Sequence, residues 1–537
     1  MPDAVPDPGL PGTRPIAPGS IAPGSIAPTG AGIEIASAGS QGYAGAGGPG
    51  YADPAGTEPP DAKATVTLVL VAAAGLTVSL PMSLLVPVLP QLAVKMHTSA
   101  TSTEWLLTAT LLTGAIAVPV LGRLADLYGK KRVLAAALVV FLAGSLICAF
   151  TNDIAVMIAG RAVVGLSVAA IPIGISLVGT VLPASRAGQG IALVSAMLGV
   201  GGALGLPVAG VIAQHADYHV LFWICIAGGV ITLGGIIALV PEPPVSGHGK
   251  LDPPGTVLLA VALTSLLLPL AQASVWGWGN LKTTGLLAAS VVLLTTFVLV
   301  ERRRASPVID VVVNARPALL LTNVASAAVG FALFAVLIGT ANFVETPAAA
   351  GYGFGSSVMV GGLCLVPSGL FMLLFSPVSA QLSARFGPKV TLALGAAIVA
   401  TGFLVRFFLV AHVWEVVAGT AITGAGTGLA YSAMPSLILR AAPPAELAAA
   451  NGLNSLARMT GSSLASALGG AVLTSQTVTL AGYAFPSLAA YRILFAICAA
   501  AALAGAVTAL TIPLSSAAAD RRSSPAWRVQ TILEEDA

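Results

Sequence analysis

Fourteen apolar stretches follow one another from Thr65 onward, and they constrain the fold more than any other feature of the sequence. Only 8% of the 537 residues are charged and 56% are hydrophobic, whereas a soluble domain carries about 25% charged residues. Each stretch is long enough for the roughly 20 residues that a helix needs to cross a bilayer. The sequence therefore predicts an all-α polytopic membrane protein with fourteen transmembrane helices. Their approximate limits are 65–90, 103–121, 133–151, 154–181, 189–213, 220–241, 254–275, 283–300, 317–343, 355–379, 389–411, 414–438, 447–475 and 491–513.

The lysines and arginines predict the orientation of these spans. With the N-terminus in the cytoplasm, 18 of the 24 Lys and Arg residues lie on the cytoplasmic side. Cytoplasmic loops of membrane proteins are enriched in these cations, so we expect both termini in the cytoplasm. The six exceptions are Lys95, Lys282 and Arg492 in external loops and Arg161, Arg406 and Arg458 within spans.

The remaining composition argues against several classes of protein. Residues 1–62 are rich in Pro, Gly, Ala and Ser, a composition that cannot bury enough surface to fold, and we predict a disordered cytoplasmic tail there. A second cytoplasmic tail is predicted at 515–537. The four cysteines all fall in apolar stretches and are expected to be buried. The histidines lack metal-ligand spacing, and no phosphate-binding GxxxxGK[ST] occurs, so we expect no metal, no cofactor, no enzyme activity and no use of ATP.

The most distinctive charged segment is Gly122-Arg-Leu-Ala-Asp-Leu-Tyr-Gly-Lys-Lys-Arg132, between the second and third apolar stretches. It predicts a tight turn at the membrane surface, because the glycines at 122 and 129 permit a sharp bend and close approach of helix ends. Asp126 stands among four cations there and can pair with one of them or with a neighbouring helix end. An ordinary cation-rich loop would explain the cations but not the whole pattern.

This pattern resembles the loop between helices 2 and 3 of the major facilitator superfamily. The resemblance implies a secondary transporter with a conformational latch formed by Gly122, Arg123, Asp126, Gly129, Lys130 and Arg132. We refer to residues 122–132 as the latch segment. A degenerate repeat of Leu124–Lys131, which we call the worn copy, occurs at Leu382–Lys389, with Ala384 in the place of Asp126.

The copy implies two six-helix halves, at 63–242 and 316–514, with a cavity at their interface. Residues 243–315, which carry spans 7 and 8, would then be a helix pair inserted between the halves. Such an insert resembles the fourteen-helix drug:proton antiporters of this superfamily.

Arg161 lies several residues inside span 4, where an arginine costs roughly 2.5–3.5 kcal/mol on insertion scales. Arg161 and Gly165 resemble the family's fourth-helix motif, in which the arginine is linked to proton coupling. Alternatively, Arg161 snorkels to the outer surface. Arg406, near the outer end of span 11, is expected to snorkel.

Span 5 contains Gly201, Gly205, Pro207 and Gly210. They resemble the helix-5 signature of the antiporters, although Leu206 and Ala209 replace a proline and a glycine of that signature. The GxxxG spacing also permits close helix packing, and Pro207 favours a kink.

The family's fourteen-helix antiporters usually carry an aspartate in the first helix, and here Pro81 holds its place. If protons drive transport, another carboxylate must bind them. Glu345 follows 28 uncharged residues and precedes 39 more, and such isolation favours proton binding. We therefore predict that Glu345 and Arg161 couple transport to protons. A solvated residue at a helix end is the alternative for Glu345.

Asn342, Asn454 and Arg458 are predicted to line the cavity, since Asn454 and Arg458 share a helix face in span 13. Bonding between helices is the alternative role.

The resemblance as a whole implies a secondary active transporter in the cell membrane that exports drug-like or amphipathic small molecules by alternating access. It implies no binding of nucleic acid and no obligate protein partner. Its expected partners are a small-molecule substrate, protons and the lipid bilayer. A metabolite facilitator or symporter without proton antiport is the second hypothesis, because the first-helix aspartate is missing. A membrane sensor or scaffold is the third, and it would require a folded soluble domain.

Overall fold

The computed structural model describes residues 61–513, except 248, 305 and 481–482. The predicted tails lie outside the described residues, apart from positions 61 and 62, which begin the first helix. The helices are α1 Asp61–Ser79, α2 Pro81–Leu84, α3 Leu89–Lys95, α4 Ala100–Tyr128, α5 Lys130–Phe150, α6 Ile154–Leu166, α7 Ala170–Val181, α8 Ala184–His215, α9 His219–Leu239, α10 Pro253–Ala271, α11 Ala273–Trp276, α12 Leu281–Glu301, α13 Val311–Asn314, α14 Pro317–Glu345, α15 Val358–Leu363, α16 Val366–Phe386, α17 Pro388–Phe408, α18 Val413–Ala441, α19 Leu447–Ser475 and α20 Leu488–Thr511.

Eleven helical segments among the described residues are long and apolar enough to cross a membrane. They coincide with predicted spans 1 to 8, 10, 11 and 14, which confirms a helical, multi-span membrane protein. Predicted spans 9, 12 and 13 correspond to α14, α18 and α19, each of 29 residues. α18 and α19 are rich in small and polar residues, which lower their hydropathy.

Prolines divide the first predicted span. We expected one helix over 65–90, but the structure has α1, α2, a 3₁₀ turn at Val86–Val88 and α3. Pro81, Pro87 and Pro90 lack the backbone N–H that a continuous helix requires. Near this break, the backbone carbonyl of Pro81 accepts a hydrogen bond from the buried Arg161.

The described residues are almost entirely helical, as predicted, with one short β-hairpin besides. Strands β1 (Thr477–Leu480) and β2 (Tyr483–Pro486) pair antiparallel between α19 and α20, with Thr477 opposite Pro486. Thr, Val, Tyr and Phe in these strands favour extended backbone. The hairpin is followed directly by Ser487, whose hydroxyl accepts from the N–H of Ala490 and caps α20.

The helix contacts of the predicted N-terminal half, 63–242, recur in the predicted C-terminal half, 316–514, and the two halves meet along two seams. In the N-terminal half α4 packs on α6, and α5 packs on α9. The C-terminal half repeats this plan, since α16 packs on α18 and α17 packs on α20. Between the halves, α4 lies against α19 and α8 lies against α16.

The helix pair α10 and α12 covers one of these seams. α10 packs on α12, α4 and α19. Leu259, Leu263 and Leu267 of α10 belong to one buried apolar cluster with Ala115 of α4 and Leu456 of α19. α10 therefore contacts both halves where they meet, and α12 packs on α10.

Candidate functional site

The latch segment is mostly helical, which corrects the predicted loop. α4 continues through residues 122–128, and Gly129 alone makes the break before α5. Gly129 has φ +109°, a value that L side chains rarely adopt. In the worn copy, Gly387 has φ +85° at the equivalent place between α16 and α17. The two copies of the repeat inferred from the sequence thus have a glycine with positive φ at the same position.

Asp126 joins the two halves. Its carboxylate is buried at the end of α4, where Oδ1 accepts from the N–H of Ala448 at 3.1 Å and Oδ2 from the N–H of Ala449 at 2.9 Å. These N–H groups belong to the first turn of α19, which has no helical acceptors for them and carries the positive end of the helix dipole. A carboxylate is well suited to this position. Asp126 therefore pairs with a helix end of the other half.

Glycines allow α4 and α19 to approach this closely. A Cβ on Gly122 would lie 2.8 Å from the carbonyl oxygen of Ala448, and one on Gly452 would lie 2.8 Å from that of Val118. Each glycine thus faces the backbone of the opposite half. Larger side chains at either position would separate the helices.

The cations of the latch segment differ in their surroundings. Arg123 and Lys130 are buried. Arg123 lies within electrostatic range of Asp126, Glu301 and Glu446. Lys130 is similarly close to Asp126 and Glu242. The side chain of Arg132 is 76% exposed, with Nε 3.9 Å from Glu242.

Glu242 is one of the site residues that sequence reasoning missed. Its carboxylate accepts from the N–H groups of Lys131 and Arg132, both at 3.1 Å, and so caps α5. It lies more than 100 residues from them in sequence, so only the fold brings it there. The only indication in the sequence was the group of cations at 130–132, which would favour a carboxylate nearby.

Glu446 and Asp310 were also missed. Glu446 directly precedes α19, and Asp310 lies beside it in the connection between α12 and α14. Burial and then the negative charge of Asp310 raise the pKa of Glu446 to about 7, against the opposing effect of Arg123. The junction next to Asp126 therefore contains a carboxyl that titrates near neutral pH.

Arg161 is buried within the N-terminal half, which excludes the snorkelling alternative. Its Nε donates to the carbonyl of Leu106 at 3.3 Å, and Nη2 donates to the carbonyl of Pro81 at 3.2 Å. Cys148 and Cys225 lie nearby. The backbone carbonyl of Pro81 thus serves Arg161 at the place where the family's aspartate is expected.

Glu345 ends α14 as a partly buried residue. A Cβ on Gly361 would lie 2.9 Å from its Oε1, and its charge acts on Tyr491. Its described neighbours belong to the C-terminal half, whereas those of Arg161 belong to the N-terminal half. This conformation does not bring the predicted pair together.

The helix-5 motif contacts both halves. A Cβ on Gly201 or Gly205 would collide with the hydroxyl of Ser79 or Ser83, and Ser83 donates to the carbonyl of Gly201 at 3.1 Å. Close packing is therefore one role of this spacing. α8 runs unbroken through Pro207, and a Cβ on Gly362 of α15 would lie 3.2 Å from the Pro207 nitrogen. Gly210 faces Met359, also of α15.

The predicted cavity residues separate into two groups. Asn454 and Arg458 are buried and hydrogen-bonded to each other, and Asn454 Nδ2 also donates to Asn323 of α14 at 3.0 Å. The Arg458 guanidinium lies 5.0 Å from the ring centroid of Tyr431. Asn342, by contrast, has an exposed side chain. Asn454 and Arg458 thus form a buried polar group among α14, α18 and α19.

Arg406 corrects another expectation, since it is fully buried and does not snorkel. Its guanidinium lies 4.4 Å from the ring centroid of Phe495. The four cysteines are buried and free, as expected.

Repeated helix packing and eleven apolar helical segments among the described residues define a multi-span membrane protein. The family model of the Major Facilitator Superfamily matches residues 71–363 and 320–533. The chain belongs to this superfamily. Its family and its fold are those of transporters and not of enzymes.

Relatives agree with this assignment. The uncharacterized MFS-type transporter Rv1877 of Mycobacterium tuberculosis (strain ATCC 25618 / H37Rv) is 28% identical over 416 residues, which are 76% of this chain and 58% of that protein. The chain therefore spans little more than half of that relative's length. The tetracenomycin C resistance and export protein of Streptomyces glaucescens is 26% identical over 419 residues, 76% of each chain. Multidrug resistance protein Stp of Mycobacterium tuberculosis (strain CDC 1551 / Oshkosh) is 25% identical over 69% of each chain.

The crystal structure of the human organic anion transporter MFSD10 (TETRAN) has the same fold. Its TM-score is 0.60 at 14% sequence identity, covering 84% of this chain and all of that one. At this identity the likeness concerns the fold alone.

Proposed function

We propose that the chain is a fourteen-helix, proton-coupled exporter of drug-like or amphipathic small molecules that works by alternating access. It would reside in the cell membrane with both termini in the cytoplasm. The names of two relatives, an export protein and a multidrug resistance protein, support this class of substrate.

The contact of Asp126 with α19 carries the proposal. In alternating access, contacts on one side of the membrane must form in one state and break in the other. Asp126 belongs to one half and its two donors to the other, so its bonds require that the halves be closed on this side. When they separate, a carboxylate and a helix end each lose a partner. The latch segment is thus suited to stabilise one of two states.

Glu345 is our proposed proton carrier. Pro81 supplies only a carbonyl to Arg161, so the carboxylate that binds protons must lie elsewhere. Glu345 is partly buried in the C-terminal half, in surroundings that favour its neutral form over the charged one. Alternate loss and gain of its proton would couple the two states to the proton gradient.

Ethidium transport in everted membrane vesicles tests the proposal. We expect uptake that requires an imposed proton gradient and stops on addition of an uncoupler. Glu345→Gln should abolish the gradient-dependent part while retaining ethidium binding, because the amide keeps the shape but does not titrate. Glu104→Gln is the matched control, since Glu104 is an exposed carboxyl near the same predicted side. Gradient-dependent uptake that survives in Glu345→Gln would remove Glu345 as the carrier.

A facilitator or symporter without proton antiport is the second candidate. The observation that favours it is the pairing of Arg161 with the carbonyls of Leu106 and Pro81, neither of which titrates. Uptake that is unaffected by the uncoupler would support this candidate over the antiporter.

A further inference from the structure

Arg406 is a buried cation without hydrogen-bond acceptors. Its Nε, Nη1 and Nη2 atoms have no partner among the described residues, although the side chain is 0% exposed. The ring of Phe495 offers one face to the guanidinium, but a buried charge without an anion or acceptors is costly. Among the described residues, this positive charge therefore has an aromatic ring beside it but no hydrogen-bond acceptor.

The two halves place a guanidinium in equivalent surroundings. Tyr218-His-Val-Leu-Phe-Trp-Ile-Cys225 in α9 repeats as Tyr491-Arg-Ile-Leu-Phe-Ala-Ile-Cys498 in α20. Arg161 lies near Cys225 and Arg406 near Cys498, the last residues of the two repeats. Each arginine is thus close to the same position of the sixth helix of its half.

The arginines reach this place from different helices. The sequence Ala159-Gly-Arg-Ala162 in α6 aligns with Ala418-Gly-Thr-Ala421 in α18. In this alignment Thr420 is the counterpart of Arg161. A Cβ on Gly160 would collide with the Sγ of Cys148, whereas one on Gly419 would collide with Cγ of Arg406. Arg406 of α17 therefore corresponds to Cys148 of α5. The buried arginine therefore lies on the fourth helix in the N-terminal half and on the third helix in the C-terminal half, at corresponding places within the two halves.

The two guanidinium groups differ in their partners. Arg161 donates to two backbone carbonyls, and these compensate part of the cost of burial. The neighbours that act electrostatically on Arg406 are Cys364, before α16, and Tyr491 and Cys498 of α20. None of these carries a negative charge near neutral pH. Arg406 thus requires an anion from elsewhere.

Glu345 lies in the same part of the C-terminal half as Arg406. The ring centroid of Phe343, two residues before Glu345, is 5.0 Å from that of Tyr491, and the ring centroid of Tyr491 is 6.2 Å from that of Phe495, which Arg406 contacts. The Tyr491 phenol lies within electrostatic range of both Arg406 and Glu345, and also of Tyr352. The hydroxyl of Tyr352 donates to the carbonyl of Pro486, so it is already engaged. The partly buried acid of Glu345, the buried phenol of Tyr491 and the buried guanidinium of Arg406 therefore follow one another inside the C-terminal half.

We propose that Arg406, rather than Arg161, is the counter-charge of Glu345, and that the carboxylate formed when Glu345 loses its proton is stabilised by this guanidinium across Tyr491. The inference rests on the proposed role of Glu345 in proton coupling. The C-terminal half would then contain both members of the titrating pair, and Arg161 would organise the N-terminal half through Pro81.

Labelling with dicyclohexylcarbodiimide, which modifies protonated carboxyls in apolar surroundings, tests the pairing without any substrate. The full-length protein is reconstituted in liposomes, treated over a range of pH, and the modified fraction of Glu345 is measured by mass spectrometry. An opposite charge within about 4–6 Å shifts the proton binding of a carboxyl by about 1–3 pH units, and a charge on the far side of a phenol acts less strongly. In Arg406→Gln we therefore expect about threefold more labelling of Glu345 at alkaline pH than in the wild type. Arg161→Gln should label as the wild type does.

Equal labelling in Arg406→Gln and the wild type would overturn the proposal, as would increased labelling in Arg161→Gln alone. If Arg406→Gln does not reach the membrane, the double variant Glu345→Gln/Arg406→Gln decides. Recovery of folded protein in the double variant supports the pair, because no unpaired carboxylate remains; failure of both variants contradicts it. Absence of gradient-driven ethidium uptake in the wild type would count against the proposed function, whereas the labelling result separately decides the pairing.

Discussion

The carboxylate of Asp126 satisfies two of the four backbone N–H groups that the first turn of α19 leaves without helical acceptors. Hydrogen bonds to a charged group contribute about 1.5–3 kcal/mol each, more than those between neutral partners. Asp126 is thus fixed by geometry as well as by charge. Glu446 lies at the same junction, where burial and the negative charge of Asp310 raise its pKa to about 7.

At Asp126, substitution by Asn should weaken the closed state while leaving membrane expression largely intact. The amide retains one acceptor oxygen but loses the charge and the second acceptor, a loss of about 1–2 kcal/mol, or a factor of about 5–30 in the equilibrium. Ethidium uptake into everted vesicles should fall accordingly. Asp153→Asn is the matched control, because Asp153 caps its own helix α6 and not the other half. Wild-type uptake by a normally expressed Asp126→Asn protein would contradict the latch.

At Glu446, the folded protein should lose stability as pH rises. The pKa is raised from 4.5 to about 7 in the folded state, so between these values the folded protein binds more protons than the unfolded one. The stability contributed by this group is therefore fully present below about pH 4.5 and is lost as pH passes about 7. The midpoint of thermal unfolding in detergent should fall over that range, and it should fall less in Glu446→Gln.

Asp310→Asn provides the companion measurement, because it removes the second-largest cause of the raised pKa. The pH-dependent loss should still begin near pH 4.5, but it should end at a lower pH and be smaller than in the wild type. An unchanged profile in both variants would show that Glu446 does not titrate in this range.

At the scale of helices, the seam between α4 and α19 depends on contact between backbones. Gly122 and Gly452 each face the opposite backbone at a distance that excludes a Cβ. The glycines and Asp126 act on neighbouring turns of the same pair of helices. Closing this seam therefore requires both the glycines and the acid.

Gly122→Ala should shift the protein toward separation of α4 and α19. A single added methyl group meets the Ala448 carbonyl oxygen at 2.8 Å, and a backbone atom cannot rotate away. Maleimide labelling of Ala449→Cys, in a protein whose four native cysteines are replaced, should become several-fold faster in this variant. Gly188→Ala is the control, since a Cβ there has nothing within 4 Å. Equal labelling rates in the two glycine variants would show that the seam tolerates the methyl group.

Local patterns predicted the helical spans and the latch segment because both depend on residues close in sequence. Asp126 was expected to pair with a cation or a neighbouring helix end, and the structure selects the helix end. The extension of α4 to Tyr128 was missed because charged residues look like a loop in a membrane sequence. The partners Glu242, Glu446 and Asp310 come from distant segments, and the burial of Arg406 depends on which helix face the bundle covers. Such contacts require the tertiary structure.

At the scale of the molecule, the helix pair α10 and α12 connects the halves while covering the seam between them. Its ends are tied to the latch side. The Asp252–Arg304 ion pair, at 3.2 Å, holds the start of α10 to the end of α12. The N–H of Gly247 donates to the carbonyl of Asp126 at 3.0 Å. Movement of α4 relative to α19 would therefore also act on this pair.

The arrangement makes a topological prediction that tests the fourteen-span proposal. If α10 and α12 both cross the bilayer, Arg303 lies on the cytoplasmic side with Asp126, and Lys282, at the other end of α12, lies outside. Single cysteines at Lys282 and at Ala349, an exposed residue four positions after Glu345, should then react with an impermeant maleimide added to intact cells. Cysteines at Arg303 and Lys389 should react only after the membrane is opened, because both follow helices that end on the latch side. Reaction at Arg303 in intact cells would mean that this pair does not cross twice, and the positions of all later helices would have to be reassigned.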